Sequence, residues 1–434
     1  MNRLEKLINE IDRPTLFIGK GPSYNLKSKI LLSKYYTVCL NHAVRDIKCD
    51  AVSIIDIDVV RKHQEDIYNN ADSLIIPYYP HDPENGFKPT DKTIENYADE
   101  MPFLKKLLNE DRVYSYNASS STKINGDLAN FNVHINNGDS LFGIFSKLGV
   151  KSIYSIGLDG GTIYSSSFKD LTPGENGQTF DKSLDMISEM QEHYGSELIK
   201  IGDLEEVKVF VGSTPSEDIP TLVLDYSIKK HTHHPCSIVP LHTLPTEHRM
   251  PIDVQSRPRT PFSFKRFFIP QLTTGRAFYM DSDMIVFDDM GKLLESNFDG
   301  ADGICCKNMD KFNNWQTSNY AFLLLDCDNV EWSIDSIIDQ LDAGDLTYEQ
   351  LMFEFKHAKI KPDFEYTWNS LDLYEKDKTK LLHYTDMNKQ PWKHPNHPHE
   401  NLWLGLLKEA VQCGYIDKKL VIDHGNTGNI RQFR

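Results

Sequence analysis

Residues 275–290 read GRAFYMDSDMIVFDDM: an apolar strand, an Asp-x-Asp at Asp281 and Asp283, and a second apolar run. A strand that ends at this pair leaves both carboxylates at the C-terminal edge of its sheet, where open α/β sheets bind ligands. Hard oxygen ligands there suit Mn2+ or Mg2+, and such an ion can bridge a diphosphate and neutralise the charge that develops as it leaves. The same spacing recurs at Asp56/Asp58 and at Asp326/Asp328. An ordinary turn after a strand is therefore the alternative to a metal site.

Upstream of this pair, VKVFVG (207–212) opens one series of strands and helices, and a separate series precedes it. In the first half TLFIGKG (15–21), YYTVCLNHA (35–43) and DAVSIIDIDVV (50–60) alternate with helical patterns, which reads as βαβ units and a parallel sheet. SLFGIFSKLG (140–149) reads as a helix closed by Gly149, and VKSIYSIGLD (150–159) as a buried strand that breaks at Gly160 and Gly161. The acidic stretch from Gly202 to Glu206 separates the two series. This places one domain at 1–204 and a second at 205–434, as the length of 434 residues also suggests.

The composition, 39% hydrophobic and 25% charged, is that of a globular chain, and no segment approaches the roughly eighteen apolar residues of a membrane span. The opening MNRLEKLINEIDRP mixes charges into a short amphipathic stretch, so a cytoplasmic location is expected, with peripheral association at the inner membrane as a variant. Seven cysteines without a C-x-x-C pair point to reduced thiols. A net charge of -16 disfavours a nucleic-acid partner, and an anionic ligand would need a cation or helix N-termini to hold it.

The segments VFVGSTPSED, LVLDYSIKKHT, TPFSFKRFFIPQL, AFYMDSDMIVFDDM and HYTDMNKQPW occur in that order. Together they resemble the retaining glycosyltransferase family that includes glycogenin and the bacterial lipopolysaccharide galactosyl- and glucosyltransferases. The likeness spans most of residues 207–400. For that half it implies a nucleotide-binding domain of GT-A type and a UDP-sugar donor used with Mn2+ or Mg2+; with the βαβ pattern of the first half, the chain reads as an α/β fold of two Rossmann-like nucleotide-binding domains. The implied metal ligands are Asp281, Asp283 and His383, and the implied donor contacts are Ser213, Thr214, Arg266 and Lys389.

His383 falls on the histidine of an H-x-x-G-x-x-K-P-W motif. The chain departs from that motif at Asp386, where the family has glycine, and at Gln390, inserted between Lys389 and Pro391. By the same resemblance Asn319, in SNYAFLLLDCD, faces the sugar, and Glu349 and Gln350, in TYEQLMF, lie beneath the anomeric carbon. Each has a plainer alternative: Asn319 as a strand-entry cap, and Glu349/Gln350 as a solvated helix face. The histidine clusters at 231–234 and 394–399 lack companion cysteines and a helical i, i+4 frame, so the second reads as loop near the site rather than a zinc site.

In the first half, FIGKGPSYNLKSKI (17–30) sets Gly19, Gly21 and Ser23 between a strand and a helix, where free N–H groups and the helix dipole make an anion site. A tight structural turn is the alternative. G-x-G-P-S, LNHAV, the Asn-Gly before a helix and SIYSIGLDGG resemble bacterial sialyltransferases that use CMP-sialic acid. On that likeness Ser23, Asn41 and Gly138 take CMP-contacting positions and Asp159 the acidic end of the last strand. Lys20, Asn137 and Gly161 depart from the pattern, and His193 is a loose match for the general base.

The expectation is a metal-dependent transferase moving a sugar from UDP, with retention, to a glycan or lipid-linked glycan acceptor in bacterial surface polysaccharide synthesis. The alternatives are a bifunctional enzyme with a further CMP-sugar site in the first half, and a non-catalytic nucleotide-sugar-binding scaffold.

Overall fold

Thr15–Ile18, the run TLFI, is buried at every position, so it forms an inner strand covered on both faces. The computed structural model describes residues 2–86, 88–134, 136–171, 180–307 and 320–432. It divides into two units, Met1–Leu204 and Glu205–Arg434.

In the first unit the strands lie in the order Asn2–Arg3, Val113–Ala118, Ala71–Pro77, Cys49–Ser53, Tyr36–Leu40, Thr15–Ile18, Ser152–Ile156, Glu197–Lys200. All neighbours along that row run parallel. The chain steps outward from Thr15–Ile18 in one direction, then returns to lay Ser152–Ile156 on its other side. Strand order thus reverses between these two strands, the switch point at which open α/β sheets leave a crevice.

Glycines make the junction possible. A Cβ on Gly19 would sit 2.2 Å from the Gly157 carbonyl oxygen, and Gly157 itself has φ +71°. The helix read from SLFGIFSKLG runs Asn137–Lys147, with Gly149 at φ +100° beyond it. The stretch after Gly21 forms a seven-residue 3₁₀ helix, Pro22–Ser28, rather than an α-helix.

The second unit has a mixed sheet in the order Cys236–Pro240, Val207–Gly212, Arg276–Asp281, Phe322–Asp326, Gly303–Cys306, Ile360–Phe364. The first three strands are parallel, and Phe322–Asp326 is antiparallel to both neighbours. Alternate side chains of Arg276–Asp281 enter opposite cores: Phe278 and Met280 pack in one, Ala277 and Tyr279 in the other. Gly212 pairs with Asp281, which puts the loop after the first strand beside the Asp-x-Asp. A smaller sheet joins Met284–Val286, Leu381–His383 and Ser370–Leu371. The α/β class expected from the sequence is the one observed in both units.

The run 391–399 is ordered loop, with Trp392 and His397 buried, and the helix Glu400–Gln412 follows it. No helix among the described residues is long and apolar enough to cross a membrane.

Gly19→Ala is expected to destabilise the first unit by about 1–3 kcal/mol, because the new methyl meets backbone that cannot swing away. Gly138→Ala meets only the end of the Leu158 side chain, at 3.0 Å, and should be nearly neutral. Hydrogen exchange of the strand amides in the first unit separates the two outcomes; equal protection in both variants would contradict the close approach.

Candidate functional site

Asp281 ends its strand, and Asp283 follows across a turn in which the Ser282 N–H donates to the Gly212 carbonyl at 3.3 Å. His383 comes from the small sheet, where Met284 pairs with it and the Tyr384 N–H donates to the Asp283 carbonyl at 2.8 Å. One ligand atom from each of Asp281, Asp283 and His383 lies within 4.8 Å of the others.

Each of the three has one fixed neighbour. The Tyr279 hydroxyl donates to Asp281 Oδ1 at 2.5 Å, and the Gln390 amide donates to Asp283 Oδ2 at 3.2 Å. His383 Nδ1 lies 3.0 Å from Asn369 Oδ1. An amide oxygen only accepts, so the Nδ1 proton belongs to this bond and Nε2 is turned to the carboxylates. Nε2 lies 3.0 Å from Asp283 Oδ1, but off the hydrogen-bond line, and that buried oxygen has no hydrogen bond.

The electrostatics are those of a site missing positive charge. Burial raises the Asp281 pKa and the neighbouring Asp283 charge adds to this, against Arg266 and His383. Burial alone would lower His383, yet the adjoining Asp283 and Asp281 carry it above its ordinary value. Arg266 is buried, with its guanidinium carbon 4.2 Å from the Tyr279 ring centre and its N–H groups on the carbonyls of Ser263 and Tyr320. Two carboxylates and an imidazole nitrogen form a donor set suited to a hard or borderline divalent cation, and the orphaned Asp283 oxygen fits such an ion.

The remaining expected residues of this unit are occupied by local partners. Ser213 is buried with its hydroxyl 3.0 Å from His242 Nδ1, and His242 Nε2 lies 3.3 Å from Asp218. Thr214 forms a capping box with Glu217. The Lys389 ammonium pairs with Asp386 at 3.0 Å. Glu349 pairs at the surface with Arg259 at 2.9 Å, and Gln350 closes a capping box with Thr347, so the structure does not bring either to the carboxylate cluster. Asn319 lies outside the described residues.

In the first unit the expected cradle of free N–H groups is absent. Gly19 N–H donates to the Ile156 carbonyl, Gly21 N–H to that of Gly157, and Ser23 N–H to Asp159. The Ser23 hydroxyl also donates to Asp159 and accepts from the Gly157 N–H, so Ser23 is a structural latch. The switch point instead opens a cleft, partly open to solvent, lined by Gly19, Gly21, Asn41 and Gly138 and by Lys20 and Asp139. Asn41 has φ +52° and its side-chain oxygen accepts from the Asn137 amide at 3.1 Å.

Charged groups crowd the same sheet edge. Burial, helped by Arg45, lowers Lys20 to about 8, and burial with Lys20 nearby lowers His42 to about 3. Burial, then the charges of Asp58 and Asp82, raise Asp56 to about 6, against the pull of Lys20. Asp56 stands at the N-cap of the helix Ile57–Asn70 yet makes no capping bond. Sequence reasoning missed Tyr279, Asn369, Gln390 as an Asp283 partner, and Asp56. Of these only Gln390, as an insertion, and Asp56, in a second Asp-x-Asp, left any signal.

No family model matches the chain, and no curated protein matches it. Solved structures similar to parts or most of it include the apo form of the glycosyltransferase GlyE of Streptococcus pneumoniae TIGR4, at 15% identity. That likeness covers 52% of this chain, with a TM-score of 0.35, and the chain spans 64% of the GlyE structure. The galactosyltransferase LgtC, in complex with donor and acceptor sugar analogs, is 9% identical, with 47% of this chain and 96% of that one covered and a TM-score of 0.34. The bifunctional glycosyltransferase WbbM in its apo form is 12% identical, with 91% and 97% covered and a TM-score of 0.34. At TM-scores this low, the chemistry of the site has to be read from its own residues.

A carboxyl whose folded pKa is raised to about 6 makes the folded state most favoured when protonated. Stability therefore falls as pH rises from about 4 to about 6 and stays low above that. Asp56→Asn is expected to stabilise the first unit by about 2 kcal/mol at pH 7, with the gain vanishing near pH 4. Hydrogen exchange of the Cys49–Ser53 strand at both pH values checks this, and a loss of protection at pH 7 would overturn it.

Proposed function

We infer that the unit Glu205–Arg434 is a glycosyltransferase that takes a sugar from a nucleotide diphosphate with the help of a divalent cation. One observation carries the reading: Asp281, Asp283 and His383 converge at a sheet edge with a buried, unbonded carboxylate oxygen. Asp281, Asp283 Oδ1 and His383 Nε2 would hold Mn2+ or Mg2+. When bound, the ion supplies Lewis-acid stabilisation of the negative charge on a departing diphosphate.

The chain's own residues do the rest of the positioning. Asn369 keeps the His383 proton on Nδ1, Tyr279 orients Asp281, and Arg266 adds a buried positive charge behind both. UDP as the nucleotide, retention at the anomeric carbon, Lys389 as a donor contact and a surface-glycan acceptor are the finer parts of this proposal. They are supported by the motif resemblance rather than by the geometry. Glu349 and Gln350 would have to leave their present partners to act on the sugar.

A second reading, that the first unit holds a further nucleotide-sugar and makes the chain bifunctional, is favoured by the switch-point cleft with Lys20 at its wall. A CMP-sugar is the ligand proposed there, with Gly138 and Asn41 as contacts.

Two predictions test these readings. Asp281→Asn with Asp283→Asn should reduce Mn2+-dependent release of UDP from UDP-glucose or UDP-galactose by about a hundredfold or more, since first ligands matter at least as much as their neighbours. Thermal stability should stay level or rise as two desolvated charges are removed. Turnover at the wild-type rate in the double variant would sink the cation reading.

For the first unit, CMP should bind the full chain in EDTA and raise its melting temperature. Binding should weaken in Lys20→Met, and in the wild type as pH rises through about 8, where Lys20 loses its charge. No stabilisation at millimolar CMP would reject the second reading.

A further inference from the structure

Gln390 is buried, and its side chain reaches from the loop after Leu381–His383 to the metal-facing pair. Its amide nitrogen donates to Asp283 Oδ2 at 3.2 Å, while Asp283 Oδ1 is buried without a hydrogen bond. The two oxygens of one carboxylate are thus made unlike: one is committed to an amide N–H donor, and the other faces the His383 imidazole, with Nε2 at 3.0 Å.

The loop that delivers this amide is anchored on Asp372, whose N–H donates to the His383 carbonyl at 2.9 Å. The Thr385 N–H and hydroxyl both donate to Asp372, and His397 Nε2 lies 3.2 Å from the same carboxylate. The Gln390 carbonyl accepts from the N–H groups of Lys393 and His394 at 2.9 Å each. These bonds are made by other atoms than the side-chain amide, so replacing the side chain leaves the loop's own scaffold in place.

A carboxylate oxygen that accepts an amide N–H is a poor second ligand, because a cation there would face the N–H hydrogen. Ca2+ takes six to eight oxygens and commonly uses carboxylates through both, whereas Mg2+ and ions of similar size prefer six ligands with carboxylates bound through one oxygen.

We propose that Gln390 is a specificity-determining positioning residue that holds Asp283 to one ligand oxygen and so disfavours Ca2+ relative to Mn2+. The proposal rests on the reading of Asp281, Asp283 and His383 as a cation site. Tyr279 treats Asp281 alike, through Oδ1, so the centre offers one oxygen from each aspartate and one nitrogen from His383.

The test is calorimetric titration of the full chain with MnCl2 and with CaCl2, in the absence of nucleotide, for the wild type, Gln390→Leu and Gln390→Met. Both variants remove the amide donor with an apolar side chain, and the second is unbranched and close to glutamine in length. In each, the ratio of Ca2+ to Mn2+ dissociation constants should fall about tenfold from the wild-type ratio, the scale typical of partners that orient metal ligands. A merely structural role would weaken both ions by one common factor and leave the ratio unchanged, which would overturn the proposal. An unchanged ratio in Gln390→Met alone would also overturn it, and covers the case in which Gln390→Leu does not fold. If the wild type binds neither ion, it is the cation reading itself that fails.

Discussion

Two three-residue strands of the small sheet carry the whole arrangement at the Asp281 edge. Met284–Val286 and Leu381–His383 pair antiparallel, with Met284 opposite His383. That register sets an imidazole from one end of the unit beside an Asp-x-Asp about a hundred positions earlier in the chain. Successive side chains of a strand point to opposite faces, so a slip of one residue would carry His383 to the other face and bring Leu382 or Tyr384 in its place. The bond from Tyr384 N–H to the Asp283 carbonyl and the burial of Leu381 and Leu382 resist such a slip. Ordinary strand pairing thus fixes the position of a chemical group that no local motif could place.

What this pairing brings together repels itself. Asp281 and Asp283 are desolvated next to each other, and the protein offsets their charge only in part, with Arg266 and a histidine whose pKa is driven upward. The three neighbours Tyr279, Gln390 and Asn369 reduce the cost of burial without neutralising the charge, because each offers one hydrogen bond and none offers a cation. Preorganised ligands with fixed neighbours and an unmet need for positive charge are the usual signature of a functional centre rather than of a stabilising ion pair.

The three converging residues were legible in the sequence, but their support was not. Asp281 and Asp283 stand in a strand-end pattern that an ordinary turn would also give, and His383 was reached only through the resemblance of its motif; the structure brings the three together. Tyr279 looks like one more core aromatic, and Asn369 lies in a stretch with no pattern at all; their roles exist only once the strands are paired. Ser23 shows the opposite error. A glycine turn before a helix suggests free backbone donors, but the turn runs into a 3₁₀ helix, the Gly19 and Gly21 N–H groups go to the carbonyls of Ile156 and Gly157, and Asp159, in the loop after Ser152–Ile156, takes that of Ser23. Glu349 and Gln350 carry the plainer alternative beside the resemblance: Thr347 starts a helix there with Gln350 in its capping box, and Glu349 pairs with Arg259 at the surface.

The two units treat buried charge in contrasting ways, and the contrast bears on what each can bind. At the Asp281 edge two carboxylates and an imidazole converge, which suits a small cation. At the switch point of the first unit Lys20 lines the cleft, and the acids near it, Asp56 and Asp139, are buried enough for their pKa values to rise. Among the described residues no group of three ligand-type side chains converges there as it does at Asp281. A cleft with its own ammonium can meet an anionic ligand without an ion. Asn41 adds a second sign of the same kind: a non-glycine residue at φ +52°, held by the Asn137 amide, sits in a costly conformation at the mouth of a cleft. Strain of that sort persists where the surrounding structure enforces it, and here the enforcing contact comes from the first turn of the helix Asn137–Lys147, at the edge where the strand order reverses.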